Sequence, residues 1–250
     1  MSGARVILVT GGSRGIGAAT CRFAADAGYR VVVNYASNEA AAGALVQDIE
    51  QAGGKAIAIK ADVGNESEIL SMFEQVDRAF GRLDALVNNA GVLDVMSRLD
   101  GISAARMERI MRVNVVGSML CAREAVKRMS TTHGGKGGAI VNLSSMAAHI
   151  GGANQYVDYA ASKGAIDSFT IGLAREVAAE GIRVNAVSPG IIDTEMHAST
   201  GEPDRIARIQ DALPMKRAGT ADEVARAVLY LLSDAASYTT GAILNVSGGR

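Results

Sequence analysis

Short, mainly apolar runs alternate with helical stretches along the whole chain, and this alternation restricts the fold more than any other feature. The runs begin at Val6, Val31, Ala56, Leu83, Ala139, Arg183 and Ala242. Apolar runs bounded by glycine or polar residues are typical of strands that are buried on both faces, as in a parallel sheet. The pattern therefore predicts one α/β domain over residues 1–250, with a doubly wound, seven-stranded parallel sheet and helices on both faces.

The composition excludes several classes of protein. A net charge of −1 provides no basic surface for nucleic acid or an anionic membrane, so neither is expected as a partner. No apolar stretch reaches the ~20 residues that span a bilayer, and the N-terminus lacks a signal-peptide pattern. Cys21 and Cys121 lie far apart and outside any CxxC pair, so no metal site or disulfide framework is predicted. We expect a protein of the reducing cytoplasm.

A glycine-rich loop follows the first strand and leads into a helical stretch. Gly11, Gly15 and Gly17 carry its spacing, which differs from the commoner G-x-G-x-x-G fingerprint. Glycines let the backbone approach a ligand closely, and a helix N-terminus offers N–H donors to a phosphate. Ser13, Arg14 and Ile16 belong to the same loop. The alternative is a tight turn that packs a helix close to a strand.

The end of the second strand bears on cofactor choice. Asn34 stands there, and no carboxylate follows until Glu39. An acidic residue at this place would bind a ribose 2′-hydroxyl, whereas an arginine accommodates a 2′-phosphate. Arg14 is placed to do so, which favours NADP(H) over NAD(H), unless Arg14 is only a solvated loop residue.

Polar or small residues also follow the later strands. They are Asp62 and Val63; Asn89, Ala90 and Gly91; Ser144 and Ser145; and Pro189 and Gly190. Because the carboxyl ends of parallel strands meet at one edge of the sheet, we expect these residues to line a ligand cleft there. Asp62 has an alternative role as the cap of a helix that begins near Glu66.

Two positions within helical stretches suggest catalysis. Tyr159 and Lys163 are four residues apart, so they lie on one face of a helix, where the cation would lower the pKa of the phenol. The spacing alone also fits an exposed surface pair. Asn114 falls inside a predicted helix from about Ser103 to Met129, where asparagine is a poor helix former, and this misfit is a mild functional indication.

These features together resemble the short-chain dehydrogenase/reductase family over essentially the whole length, in particular its oxoacyl-carrier-protein-reductase-like and glucose-dehydrogenase-like members. The motifs are Thr10-Gly11-x-x-x-Gly15-Ile16-Gly17, Asn88-Asn89-Ala90-Gly91, Asn114, Ser145, Tyr159-x-x-x-Lys163 and Pro189-Gly190-x-x-x-Thr194. The resemblance implies a Rossmann-type domain, a small carbonyl or alcohol substrate and a homo-oligomer, usually a tetramer.

The resemblance also implies residue roles. Tyr159 would be the acid/base, Lys163 would lower its pKa and hold the nicotinamide ribose, and Ser145 would orient the substrate carbonyl. Asn114 would hold a water of a proton relay. Ser145 lies fourteen residues before Tyr159 where many members have thirteen, so Ser144 remains the less favoured alternative.

The implied cofactor site draws on several segments. Ile192 and Thr194 would bind the carboxamide, and residues 89–91 would line the adenosine side. The complete predicted set is Gly11, Ser13, Arg14, Gly15, Ile16, Gly17, Asn34, Asp62, Val63, Asn89, Ala90, Gly91, Tyr159, Lys163, Pro189, Gly190, Ile192 and Thr194. The polar segment at about 193–217 is predicted to be a substrate lid.

The leading hypothesis is an NADPH-dependent reductase of ketones or aldehydes that can also run as an alcohol dehydrogenase. An NAD-preferring sugar or steroid dehydrogenase is the alternative among enzymes. A non-enzymatic dinucleotide sensor is the alternative of another class, because a fold does not determine function.

Overall fold

Seven strands form one wholly parallel sheet, as the sequence predicts. The computed structural model describes residues 4–194 and 208–250, so most of the predicted lid lies outside the described residues. The strands of this sheet are β1 (Val6–Val9), β2 (Arg30–Tyr35), β3 (Lys55–Lys60), β4 (Ala85–Asn88), β5 (Gly138–Leu143), β6 (Ile182–Pro189) and β9 (Ile243–Val246). Their order across the sheet is β3-β2-β1-β4-β5-β6-β9. A separate pair of two-residue strands joins β7 (Ile192–Asp193) to β8 (Gly219–Thr220).

Helices cover both faces of this sheet, which confirms the predicted doubly wound architecture. They are α1 (Gly15–Asp26), α2 (Glu39–Gln51), α3 (Glu66–Phe80), α4 (Ala104–Met111), α5 (Ser118–Met129), α6 (Ala147–Ile150), α7 (Val157–Val177) and α8 (Ala221–Leu232). Helices α1, α2 and α8 share one hydrophobic cluster, and α3, α5 and α7 share the other. No helix of the described segments is both long and apolar enough to cross a bilayer.

The strand sequences explain why two clusters form. Successive strand residues point to opposite faces, and in β1 this places Ile7 and Val9 in one cluster and Val6 and Leu8 in the other. All four side chains are fully buried. A strand with helices on both sides must be apolar at every position, and this is the continuous pattern that the sequence shows.

The predicted helical stretch from Ser103 to Met129 is confirmed, but it is not a regular α-helix throughout. Helix α4 ends at Met111, a wider π-helical turn covers Arg112–Gly117, and α5 then begins. Within this turn the Asn114 side chain bonds to backbone groups outside its own helix, which competes with regular α-helical packing. A Cβ on Gly117 would lie 2.4 Å from the Val63 carbonyl oxygen, so glycine permits this close approach.

Polar side chains at the helix starts define where several helices begin. Asn38 caps α2 by accepting a hydrogen bond from the Ala41 N–H at 3.0 Å. Asn65 caps α3 through the Ser67 N–H, so Asp62 is not the cap of that helix. Thr220 and Glu223 form a reciprocal capping box at the start of α8.

The strand order reverses direction between β1 and β4. From β1 the chain proceeds outward to β2 and β3, and it then returns to the other side of β1 to continue with β4. At such a switch point the loops after the two strands lead to opposite faces and leave a crevice at the carboxyl edge. This crevice is where a ligand site is expected.

Removal of the largest fully buried side chain tests the second cluster. Phe73 on α3 is fully buried, so Phe73→Ala leaves a cavity and should lower the free energy of unfolding by about 3–5 kcal/mol. Leu70→Ala on the same helix is the control, because Leu70 is 38% exposed and should cost about 1 kcal/mol or less. Chemical denaturation measures both. Equal losses for the two variants would contradict this packing.

Candidate active site

A cavity of about 690 Å³ opens at the carboxyl edge of the sheet. Among the described residues, it is lined by most of the predicted site. Those lining it are Gly11, Ser13, Arg14, Gly15, Ile16, Asn34, Asp62, Val63, Asn89, Ala90, Gly91, Ser145, Tyr159, Lys163, Pro189, Gly190, Ile192 and Thr194. Gly17 and Asn114 do not line it. The size is in the usual range of about 300–1,000 Å³ for ligand pockets.

The glycine loop forms one end of this cavity. Gly11 and Gly15 have positive φ angles of 59° and 52°, which glycine adopts without strain. No side chain of the described residues caps α1, and its first turn has no acidic residue. The N–H groups at its N-terminus, together with the helix dipole, therefore suit an anionic group such as a phosphate.

Gly17 acts by close packing and does not face the cavity. A Cβ there would lie 2.4 Å from the Gly11 carbonyl oxygen and 2.6 Å from the Asn89 amide nitrogen. The same amide donates to the carbonyl oxygens of Thr10 and Gly11, each at 2.9 Å. Asn89 and Gly17 thus hold the loop against the end of β4.

Asn34 braces the same loop from β2. Its side-chain oxygen accepts from the Gly11 N–H at 3.1 Å, and its amide donates to the carbonyl oxygens of Ile59 and Ala61. The side chain is buried, so its main contacts are with protein although it borders the cavity. Asn34 was predicted from the sequence as a cofactor-binding residue, and its hydrogen bonds to the glycine loop and to the end of β3 were not predicted.

The cavity end near β2 carries an exposed arginine and no carboxylate within the described lining. Arg14 lies there with Ala36, Ser37 and Asn38. Among the described lining residues, the only side-chain carboxylate belongs to Asp62, which accepts the Gly64 N–H at 2.8 Å in a turn after β3. This end of the cavity is therefore electrostatically favourable to an anion.

Lys163 and Tyr159 lie at the other end. The Lys163 ammonium donates to the Leu143 carbonyl oxygen at 2.6 Å and lies 5.6 Å from the centre of the Tyr159 ring. Lys163 is 5% exposed, so this cation is buried at the end of β5. Both side chains line the cavity, as their positions one helical turn apart on α7 predict.

Burial is the largest influence on the pKa values of Tyr159 and Lys163. It raises the pKa of Tyr159 to about 12, and a hydrogen-bond interaction with Ser145 lowers it only in part. Burial also lowers the pKa of Lys163 to about 8, while the charge of Asp167 raises it. The sequence predicts that Lys163 depresses the pKa of Tyr159, and the net direction in this structure is the opposite. The reason is that enclosure in a low-dielectric site penalises the phenolate.

The two serines after β5 have different surroundings. Ser144 is 3% exposed, and its hydroxyl donates to the Lys163 carbonyl oxygen at 3.4 Å and interacts with the Asp167 carboxylate. The Ser145 hydroxyl accepts the Ala147 N–H at 3.1 Å and interacts with the Tyr159 phenol. The geometry therefore favours Ser145 over Ser144 as the hydroxyl that meets a ligand beside Tyr159.

Asn114 lies behind the cavity wall. Its side chain accepts the Val92 N–H at 2.7 Å and donates to the Val92 carbonyl oxygen at 3.0 Å and the Ser162 hydroxyl at 3.1 Å. Gly91 separates it from Lys163, because a Cβ on Gly91 would lie 3.5 Å from the Asn114 oxygen and 3.7 Å from the Lys163 nitrogen. Asn114 thus fixes the loop after β4 against α7.

A buried ion pair beside Tyr159 could not be predicted from the sequence. The Arg106 guanidinium on α4 makes two bonds to the Asp158 carboxylate, at 2.8 and 3.1 Å, and a third to the Val95 carbonyl oxygen at 2.7 Å. It fixes the start of α7 to α4 and to the segment after β4. The partners are 52 residues apart in the chain, so no local pattern could reveal the pair.

The segment after β6 closes the cavity beside the glycine loop. Thr194 packs near Gly15, where a Cβ would approach its side chain to 3.4 Å. Within the described ranges, no three His, Cys, Asp or Glu side chains are grouped so as to hold a metal ion.

Similarity to known proteins identifies the family of this chain. The family model described as Enoyl-(Acyl carrier protein) reductase matches residues 11–250. A short-chain dehydrogenase/reductase of Serratia marcescens, solved as a double mutant, superposes with a TM-score of 0.90 at 35% identity, over 98% of this chain and 97% of that one.

The chain belongs to the short-chain dehydrogenase/reductase family. It is 53% identical over 245 residues to the uncharacterized oxidoreductase YgfF of Escherichia coli (strain K12), covering 98% of this chain and 99% of that protein. It is 39% identical to the 3-oxoacyl-(acyl-carrier-protein) reductase of a Synechocystis strain, covering 98% and 96%. The protein is therefore an oxidoreductase that acts on CH–OH or C=O groups with a nicotinamide dinucleotide.

A methyl group added at Gly17 should destroy the cofactor end of the cavity. Gly17→Ala forces its Cβ onto backbone and amide atoms at 2.4–2.6 Å, so we expect binding of nicotinamide dinucleotides to weaken at least tenfold, measured by calorimetry. The control is Gly43→Ala on α2, where a Cβ meets nothing within 4 Å and binding should not change. Wild-type affinity in Gly17→Ala would show that the loop does not form the site.

Proposed function

We propose that this protein is an NADPH-dependent carbonyl reductase that reduces a ketone or aldehyde to an alcohol and can run in reverse. The observation that supports this most is that Tyr159, Lys163 and Ser145 line the same cavity as the glycine loop. The relative from Synechocystis is described as a reductase of a 3-oxoacyl substrate, which agrees with reduction as the working direction.

The residues of the cavity fit a phosphorylated nicotinamide dinucleotide. Its phosphates would lie at the uncapped N-terminus of α1, and its 2′-phosphate would meet Arg14. Residues 89–91 would line the adenosine side, and Ile192 and Thr194 would hold the carboxamide. When bound, this cofactor supplies the hydride.

The preference for NADPH over NADH rests on charge. Arg14 borders the cavity end near β2, and no side-chain carboxylate of the described residues lies at that end. A 2′-phosphate is therefore favoured there, whereas a 2′-hydroxyl would lack the acidic residue that usually accepts its hydrogen bond. Asp62 lies at the end of the neighbouring strand β3, where it would meet the adenine side.

Proton transfer to the substrate is assigned to Tyr159. In reduction the tyrosine must be protonated before it can act as the acid, and a pKa of about 12 keeps the phenol protonated at neutral pH. Ser145 would donate a hydrogen bond to the substrate carbonyl oxygen and so hold that oxygen next to the phenol. The phenol then gives its proton to this oxygen.

Lys163 would hold the nicotinamide ribose. An ammonium has several donors, and only one of those of Lys163 is used by the Leu143 carbonyl. A pKa of about 8 leaves the side chain mainly charged at neutral pH. Asn114 would keep the π turn beside Lys163 in place, and a water held there would connect Lys163 to solvent.

We infer a single domain with a lid at about 193–217 that works in the cytoplasm as a homotetramer. Val116 is 47% and Met119 39% exposed where the π turn meets α5, which gives one apolar surface for such an assembly.

Loss of the phenol hydroxyl should abolish turnover. Tyr159→Phe removes the acid without changing the shape of the ring, so kcat/KM for any ketone that the wild type reduces should fall about 10²–10⁴-fold. NADPH oxidation measured by absorbance follows the reaction. Tyr230→Phe, at an exposed site on α8, is the control and should keep wild-type activity. Unchanged kcat/KM in Tyr159→Phe would overturn the assignment.

Loss of Arg14 should change cofactor preference. Arg14→Ala removes the proposed contact to the 2′-phosphate, so KM for NADPH should rise about 10–100-fold while KM for NADH changes little, because charge-assisted bonds contribute about 1.5–3 kcal/mol. Arg22→Ala is the control, since Arg22 is an exposed cation on α1 that pairs with Asp48. Equal changes in KM for both cofactors would remove Arg14 from the site.

A further inference from the structure

A buried carboxylate lies one helical turn beyond Lys163 on α7. Asp167 is 8% exposed, and its Oδ1 atom has no hydrogen-bond partner among the described residues. A buried carboxylate oxygen without a donor is destabilising, and native structures rarely retain one without a compensating interaction. Asp167 has no part in the roles proposed above for the residues of the active site.

The groups that face this carboxylate come from three elements. Lys163 precedes it by four residues on α7, and Ser144 approaches it from the end of β5. His149 faces it from α6, with 3.9 Å between its Nε2 atom and the Asp167 Oδ2 atom. Among the described residues, Lys163 and His149 are thus the titratable groups that act on Asp167.

Lys163 needs a compensating charge at this place. Its ammonium is buried, and its one protein hydrogen bond among the described residues goes to a neutral carbonyl, that of Leu143. Burial favours the neutral amine and lowers the pKa of Lys163, whereas the negative charge of Asp167 raises it. In turn, burial raises the pKa of Asp167, and the charge of Lys163 lowers it. Each group therefore favours the ionised form of the other.

We propose that Asp167 is a positioning residue that holds Lys163 in its ammonium form beside Tyr159. The proposal deepens the proposed function, on which it rests, because the cation is useful there only if Lys163 holds the cofactor. Ser144 and His149 flank Ser145 in the chain and both face Asp167, so the same carboxylate connects the serine segment to α7.

The direct test is the titration of Lys163 in the free protein. With ¹³C-labelled lysine, the Cε resonance that disappears in Lys163→Met identifies Lys163, and its chemical shift is followed as pH rises. We expect a midpoint near pH 8 in the wild type. Asp167→Asn keeps the size of the side chain and removes its charge, so the midpoint should fall by about one pH unit or more.

Two matched variants distinguish the effect of the Asp167 charge on the Lys163 midpoint from a general structural effect of substitution. Asp167→Glu keeps the charge and should titrate within about half a pH unit of the wild type. Glu176→Gln removes an exposed carboxylate from the same helix, far from Lys163, and should leave the midpoint unchanged. An unchanged Lys163 midpoint in a folded Asp167→Asn would overturn the proposal.

A measurement on the wild type covers the case in which Asp167→Asn does not fold. The carboxyl carbon of Asp167 should show a second titration step at the midpoint of Lys163, because the two charges interact. The absence of that step would also overturn the proposal.

The pH dependence of turnover then connects the pair to catalysis. Activity that needs a charged Lys163 falls as pH rises through its pKa, so in Asp167→Asn the basic limb should begin about one pH unit lower, with a loss of about fivefold at pH 8 and little loss at pH 6. A loss of equal size at both pH values would indicate a merely structural role and contradict the proposal. Because the lysine titration needs neither cofactor nor substrate, its outcome is independent of whether Tyr159→Phe retains activity.

Discussion

Every strand of the main sheet runs in the same direction, and the site depends on this constraint. Parallel strands bring their carboxyl ends to one edge, and the reversal of strand order between β1 and β4 opens a crevice there. The glycine loop follows β1, the Asn88–Gly91 segment follows β4, and the serines follow β5. These segments, far apart in the chain, therefore border one cavity.

Burial then determines the protonation states of the two titratable side chains, Tyr159 and Lys163, at this edge of the sheet. The carboxyl end of β5 places the Leu143 carbonyl oxygen where it accepts a hydrogen bond from Lys163, which keeps the ammonium inside the protein. The same enclosure raises the pKa of Tyr159 to about 12, so the phenol stays protonated at neutral pH. Asp167 offsets the cost of burying Lys163. Tyr159, Lys163 and Asp167 thus lie on successive turns of α7.

Most of the fold could be predicted from the sequence because its signals are local. Apolar runs such as Val6–Val9 and terminators such as Gly11 lie within a few residues of the strand or turn that they define. The cavity residues that follow strands, such as Asn89 and Ser145, were predicted by the same logic, since a polar residue after a buried parallel strand lies at the carboxyl edge. What the sequence missed depends on distant partners: the Arg106–Asp158 pair, the bracing by Asn34 and the balance of charges around Lys163. The π turn at Asn114 was missed because helical periodicity continues through it.

The melting temperature with NADPH, NADP⁺, NADH and NAD⁺ added separately shows whether the cavity binds NADP(H). A ligand that binds only the folded state at about 100 times its dissociation constant adds about 2.7 kcal/mol to stability. We expect a clear rise in the melting temperature with the two phosphorylated cofactors and a smaller one with the other two at equal concentration. A rise with none of the four, or a larger one with NADH and NAD⁺, would contradict the assignment of this cavity as a site for NADP(H).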